Sequence, residues 1–248
     1  MERGLTIPTA DPIEAAQSSA ARIKSPAASL AARLGEIILG GQDGLVNVAG
    51  VILGLAAATP DTRIIIAGGL AATFAESISM AAVAYTSALA DLDYYRAERR
   101  RTQEAIRSSP EQARADLSAI FADWGFEGDL LSRAVEHVSR REEHWVDIVM
   151  AHDLEMQPMQ EKGLLPSALL VGFSAIVGSL VPLLPFFFLP RIPAIWVGLA
   201  LSALVLFGVG AFKARITVGS PGRSGIQMML IGILSALAGY GIGLLFGG

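Results

Sequence analysis

Five apolar stretches, each long enough to cross a bilayer, constrain this chain more than any other feature. They fall at roughly 37–59, 64–90, 164–189, 192–212 and 225–246. A hydrocarbon core about 30 Å thick takes about 20 apolar residues as helix. Within it the backbone must satisfy its own hydrogen bonds, which a helix does alone. The predicted fold class is therefore an all-α membrane protein with five transmembrane helices. Charged residues make up 17% of the chain, against about 25% in a soluble domain, and they concentrate in one polar segment between the second and third stretches. The expected domains are an N-terminal cytosolic segment 1–33, transmembrane helices 1–2 in 34–90, a cytosolic helical domain in 91–162, and transmembrane helices 3–5 in 163–248.

The distribution of positive charge sets the expected orientation. With the N-terminus cytosolic, every Lys and Arg except Arg63 and Arg191 lies inside. Residues 1–33 lack the apolar run of a cleavable signal peptide. Their apolar side chains are mostly alanine, and no function is assigned to them.

The polar segment reads as three helices. The second apolar stretch continues past Asp91 without a breaker, so its helix is expected to run to about Arg107. Ser109 is placed as N-cap of the next helix, with Pro110 at its first position, and that helix ends near Trp124-Gly125. The third is expected from about Asp129 to Met150, with a break near Ser139 as an alternative.

Several function classes fall away. Cysteine is absent, which excludes disulfides, thiolate zinc sites and cysteine nucleophiles. The net charge of -4 gives no reason to expect nucleic acid. No nucleophile–base set or phosphate loop is visible, so the chain does not read as an enzyme, and no permanently bound cofactor is expected.

The chemistry sits in the first two spans. Asp43 lies in GGQDGLVN, with Asn47 one turn later on the same face. Glu76 lies in FAESISM, with Met80 one turn later. A charged side chain at the bilayer centre costs roughly 2.5–3.5 kcal/mol on insertion scales, so carboxylates there mark ion pathways by default. Oxygen donors with a thioether suit Fe²⁺ or Mn²⁺ and disfavour Mg²⁺ and Ca²⁺. No arginine lies within the spans to give Asp43 a purely structural partner.

Taken in order, GGQDGLVNVAGVILGL, ESISMAAVAY, WVDIVMAHDLEM, GSLVPLLPFFF and FGVGAFKARITVGSPGRSGIQMMLIG resemble the vacuolar iron transporter family over roughly residues 33–247. The resemblance implies a homodimer with a metal path between protomers, and divalent metal leaving the cytosol in exchange for protons. It also implies a cytosolic helical domain that gathers metal. On this reading the substrate is Fe²⁺ or Mn²⁺, and the partners are the metal ion, protons, membrane lipid and a second copy.

The chain departs from the family pattern at several positions. Thr102 and Ala105 stand where acids are expected on the first helix of the polar segment, and Ala113 replaces another on the second. The family's paired methionines become Val149-Met150. Ala72 stands where plant members place an acid, one turn before Glu76. Val83-Ala84-Tyr85 replaces the GEY of many bacterial members. The candidate ligands left in the polar segment are Glu98, Glu104, Asp116, Met150 and Asp153, with His137, His144 and His152 as additions. A solvated charged face fits these residues as well, and the segment's arginines also suit anionic lipid heads.

Gly40 and Gly44, and Gly239, Gly243 and Gly247, are spaced for close helix approach, within one protomer or between two. Pro182 and Pro185 are expected to kink or end the third span. A bacterial plasma membrane is the expected location, or a vacuolar membrane in a eukaryote. The rival to a transporter is a membrane scaffold or subunit of a larger assembly that kept the fold and lost part of the metal chemistry.

Overall fold

Each apolar stretch is helical in a computed structural model, which describes residues 26–152, 154–156, 161, 163–216 and 219–247, with side chains from Arg33 onward. The helices are α1 (Pro26–Ala58), α2 (Thr62–Ser108), α3 (Pro110–Asp123), α4 (Gly128–Ser139), α5 (Glu142–His152), α6 (Leu164–Leu183), α7 (Arg191–Ile216) and α8 (Pro221–Phe246). A short 3₁₀ turn, Leu184–Phe187, follows α6. Among the described residues there is no strand. Five helices are long and apolar enough to cross a membrane, namely α1, α2, α6 with its 3₁₀ turn, α7 and α8. Their outward faces carry large apolar side chains such as Phe173, Trp196, Leu204, Leu234 and Leu245. Helices apolar all round, with such residues facing outward, make this a multi-pass membrane protein.

The chain divides into two units. One runs through Ala82 and resumes at Ser167, and the other is Val83–Pro166. In the first, α1 packs on α7 and α8 and meets α6 and α8 through glycines. A Cβ added to Gly178 of α6 would lie 1.9 Å from the Gly41 carbonyl oxygen. One on Gly40 would lie 2.2 Å from the Val171 oxygen. On the other side of α1, a Cβ on Gly239 would lie 2.0 Å from the Gly50 oxygen, and one on Gly243 2.0 Å from the Gly54 oxygen. The glycine spacing therefore serves packing within one protomer. Around these contacts Val48, Ile52 and Ala56 of α1 close an apolar cluster with Ile65, Leu183, Phe186 and Ala194.

The ends of these helices are locally built. Asp61 accepts a hydrogen bond from the Arg63 backbone N–H at 2.9 Å and so caps the start of α2. Arg191 donates to the carbonyls of Ala56 and Thr59, both at 3.1 Å, and satisfies open acceptors at the end of α1. Proline ends α6 as expected. Pro182 lies in its last turn, and Pro185 falls in the 3₁₀ turn.

The second unit comprises the continuation of α2 with α3, α4 and α5. Its core is apolar: Tyr95, Ile106, Leu117, Phe121, Val138, Trp145, Val146 and Met150. Pro110 opens α3 with Ser109 at the N-cap position, but the Ser109 side chain makes no capping bond. The stretch from 129 to 150 is two helices rather than one, with the break just after Ser139, as the alternative reading had it, and the turn at Arg140–Arg141. Glu142 and Glu143 restart the helix from its first turn, where acidic side chains complement the positive end of the dipole.

Two outcomes test this packing. Gly178→Val is expected to lose the folded, monodisperse species after detergent extraction, because the helices cannot part without breaking their neighbours' contacts. Gly208→Ala, with nothing within 4 Å of its Cβ position, is expected to behave as wild type in the same chromatography. In the second unit, Met150→Ala should cost about 2–5 kcal/mol as a core truncation. Glu104→Ala, an exposed change, should stay within about 0.5 kcal/mol. Thermal melts of the purified full chain, without added metal, separate the two.

Candidate metal site

The two intramembrane carboxylates converge. Asp43 and Asn47 share one face of α1 because a spacing of four returns the helix to the same side. Glu76 comes from α2. The Asn47 side-chain amide donates to Asp43 Oδ2 at 3.3 Å and to Glu76 Oε1 at 3.1 Å. One amide therefore ties both acids together across two helices.

Small residues make that approach feasible. Cβ atoms on Gly69 of α2 and Gly172 of α6 would lie 2.7 Å from Leu183 Cδ1 and 2.9 Å from the Ser77 carbonyl oxygen. The neighbouring hydroxyls of α2 turn back on their own helix. Thr73 donates to the Gly69 carbonyl at 2.8 Å and Ser77 to the Thr73 carbonyl at 2.6 Å. They are spent on backbone acceptors. Ala72, one turn before Glu76, packs against the Ile52 cluster, where the low-polarity core has no place for a charge.

The chemistry of the trio follows from donor and acceptor types. An ionised carboxylate only accepts hydrogen bonds, and an amide nitrogen only donates. Between two carboxylates, Asn47 must present its NH₂. A cation in the same position would reverse that preference, because it would repel NH₂ and attract the amide oxygen. Asp43 and Glu76 are half-buried and Asn47 is exposed, so the group opens on the side of the unit rather than being sealed within it. Met80 is half-buried one turn further along α2.

Glu36 is a further acid on α1 that the motifs do not mark. It accepts a hydrogen bond from Ser167 of α6. Its spacing of seven from Asp43 places it on the same stripe of α1, and that spacing is the signal by which it is recognised.

The candidates of the polar segment are placed differently. Glu98 pairs with Arg101, Glu104 is exposed, and Asp116 accepts from Gln112 at 3.0 Å. Met150 is 1% exposed in the apolar core, where Thr102 Oγ1 reaches its sulfur at 3.6 Å. Asp147 is paired with Arg99, and that carboxylate holds the guanidinium above its ordinary range. His152 stacks edge-on against Trp124, with ring centroids 5.9 Å apart. Asp153 lies outside the described residues. Among the described residues, no three or more His, Asp or Glu side chains form a group able to hold a metal ion. This applies to the membrane pair as well, which brings two carboxylates and an amide.

Comparison with known proteins gives a consistent picture. Residues 34–244 match the VIT family. The chain is 32% identical over 210 residues to Vacuolar iron transporter 1 of Oryza sativa subsp. japonica, covering 84% of this chain and 82% of that one. It is 31% identical to Vacuolar iron transporter 1 of Eucalyptus grandis, covering 84% of each. It is 26% identical over 219 residues to Protein CCC1 of Saccharomyces cerevisiae, covering 84% of this chain and 67% of that one. With the match running from the start of its first membrane helix almost to the end of its last, this chain belongs to the VIT family.

Proposed function

We propose that this protein carries Fe²⁺ or Mn²⁺ across a membrane, out of the cytosol and in exchange for protons. The observation that carries the proposal is the pairing of Asp43 and Glu76 through Asn47 at the level of the membrane helices. Two acids held close together in a low-dielectric setting repel one another and favour a cation between them. The names of the relatives, iron transporters of plants, support iron as one substrate.

In the proposed cycle, metal displaces the Asn47 NH₂ and the amide turns to offer its oxygen. Met80 adds a thioether, which a soft-to-borderline ion accepts and Mg²⁺ does not. Protonation of either carboxylate removes its charge and releases the ion on the far side. A proton carried inward on that carboxylate completes the exchange. One chain brings few ligands, and they lie on an open face. A second copy related by a two-fold axis would double them, and this supports a homodimer with the path between protomers. The proposed orientation follows the positive charge, with the N-terminus and polar unit in the cytosol, in a bacterial plasma membrane or, in a eukaryote, a vacuolar membrane.

A second reading has one observation in its favour. The polar unit keeps its methionine as core and pairs Asp147 with Arg99, as expected of a scaffold that has lost metal chemistry. Flux decides between the two.

The decisive experiment is metal flux into proteoliposomes under a pH gradient, with Fe²⁺ and with Mn²⁺. Wild type is expected to transport at least one ion only when the gradient is present, and Asp43→Ala to abolish it. No flux of either ion from well-folded protein overturns the transport reading. Asn47→Ala should weaken Mn²⁺ binding by about 10–100-fold, the range for groups that orient metal ligands. Asn47→Asp, which adds a third acid, should bind more tightly and release more slowly, as read by isothermal titration and by flux. Met80→Leu should retain flux while narrowing the preference for Mn²⁺ over Mg²⁺ in competition.

A further inference from the structure

A serine hydroxyl crosses from α8 to α1 one residue before Asn47. Elsewhere in the first unit Thr73, Ser77, Ser174 and Ser202 each donate to the carbonyl four residues back on their own helix, at 2.6–2.8 Å. That is the local way for a hydroxyl to satisfy itself in a helix. Ser235 instead donates to the Val46 carbonyl of α1 at 3.3 Å. Gly50 makes the crossing possible. A Cβ on Gly50 would lie 3.3 Å from both the backbone and the hydroxyl oxygen of Ser235, so the serine sits in the notch that this glycine leaves one turn beyond Val46. Further along the same seam, Cβ positions on Gly239 and Gly243 fall 2.0 Å from the oxygens of Gly50 and Gly54. The glycines set how near α1 and α8 come. The hydrogen bond, being directional, fixes the rotation of α1 more finely.

That rotation aims Asn47. The Val46 carbonyl and the Asn47 N–H belong to one peptide unit, and the Asn47 side chain reaches Asp43 at 3.3 Å and Glu76 at 3.1 Å. Both distances stand toward the long end of the hydrogen-bond range. A side-chain tip about 5–6 Å from the helix axis moves about 1 Å for a rotation of about 10°, enough to lose one of them. A working metal site needs its donors held to about 0.5 Å, so a contact that pins the backbone beside Asn47 bears directly on the site.

We propose that Ser235 is a positioning residue for the metal site, holding the Val46–Asn47 peptide so that the Asn47 amide meets both carboxylates. It acts through Asn47 and is not itself a ligand. The inference rests on the reading of Asp43, Asn47 and Glu76 as the metal site.

The test is Mn²⁺ binding to the detergent-purified full chain by isothermal titration. Ser235→Ala is expected to weaken binding by about tenfold, the lower end of the range for groups that orient metal ligands. The effect should vanish in the background of Asn47→Ala, because a residue that acts through Asn47 then has nothing left to position. A merely structural role predicts instead that the two losses multiply, and that result overturns the proposal. Ser235→Cys keeps the volume and weakens the donor, so it should follow Ser235→Ala. It also decides the matter if the alanine variant does not extract as folded protein. Wild-type affinity in Ser235→Cys assigns any effect of the alanine to lost volume and overturns the proposal. Wild-type affinity in both Ser235 variants, with binding lost in Asp43→Ala, overturns it while leaving the metal site standing. Absence of Mn²⁺ binding by wild type, or wild-type affinity in Asp43→Ala, brings down the site and this inference together.

Discussion

Backbone-to-backbone approach along α1 is the interaction on which the membrane unit depends. In a bilayer no hydrophobic force drives helices together, because lipid tails are as apolar as leucine. What remains is dispersion and close fit, and both grow as helices approach. Glycines on α6 and α8 face carbonyls of α1 at distances that leave no room for a methyl group. On one side α1 is held by α6, on the other by α8, and α7 packs on α1 and α8 in turn. This fixes the rotation of α1, and with it the direction in which Asp43 and Asn47 point.

The polar trio is a consequence of that rotation. Had α1 turned by a quarter, Asn47 could not reach Glu76, and each acid would need another partner or the neutral form. Instead an amide serves both acids, the group best suited to hold two acceptors while no cation is present. The same amide carries an oxygen on its other arm. Were a cation to enter, that oxygen would face it, and the side chain would be satisfied in either orientation. The hydroxyls of Thr73 and Ser77 turn back onto their own helix and compete in neither.

The polar unit rests on a different force. Its core of Tyr95, Phe121, Trp145 and Met150 is ordinary hydrophobic burial in water. A methionine is equally able to bind metal or to fill a core, and burial chooses between these roles. With its sulfur beside Thr102 and its side chain enclosed, Met150 is committed to packing. Asp147, nearby in sequence, is committed to Arg99.

Hydropathy determined the all-helical class and the five membrane helices, and the placement of helix breakers and caps determined the long continuation of α2 and the opening of α3 at Pro110. These are local properties, set by the length of apolar runs and by breakers. The pairing of Asp43 with Asn47 was also legible, since a spacing of four in a helix admits one geometry. Tertiary structure alone decided that Asn47 reaches Glu76, because contact between two helices depends on their rotation and depth, which a one-dimensional pattern does not encode. It also decided that the glycine repeats serve packing inside one chain, and that Met150 lies in a core while Glu98 and Asp147 are paired with arginines. The restart of the helix at Glu142 was half legible: the sequence left one continuous helix and a break near Ser139 both open, and the packing chose the break. Where a residue's role follows from its neighbours along the chain, the sequence suffices. Where it follows from neighbours across space, only the packing can assign it.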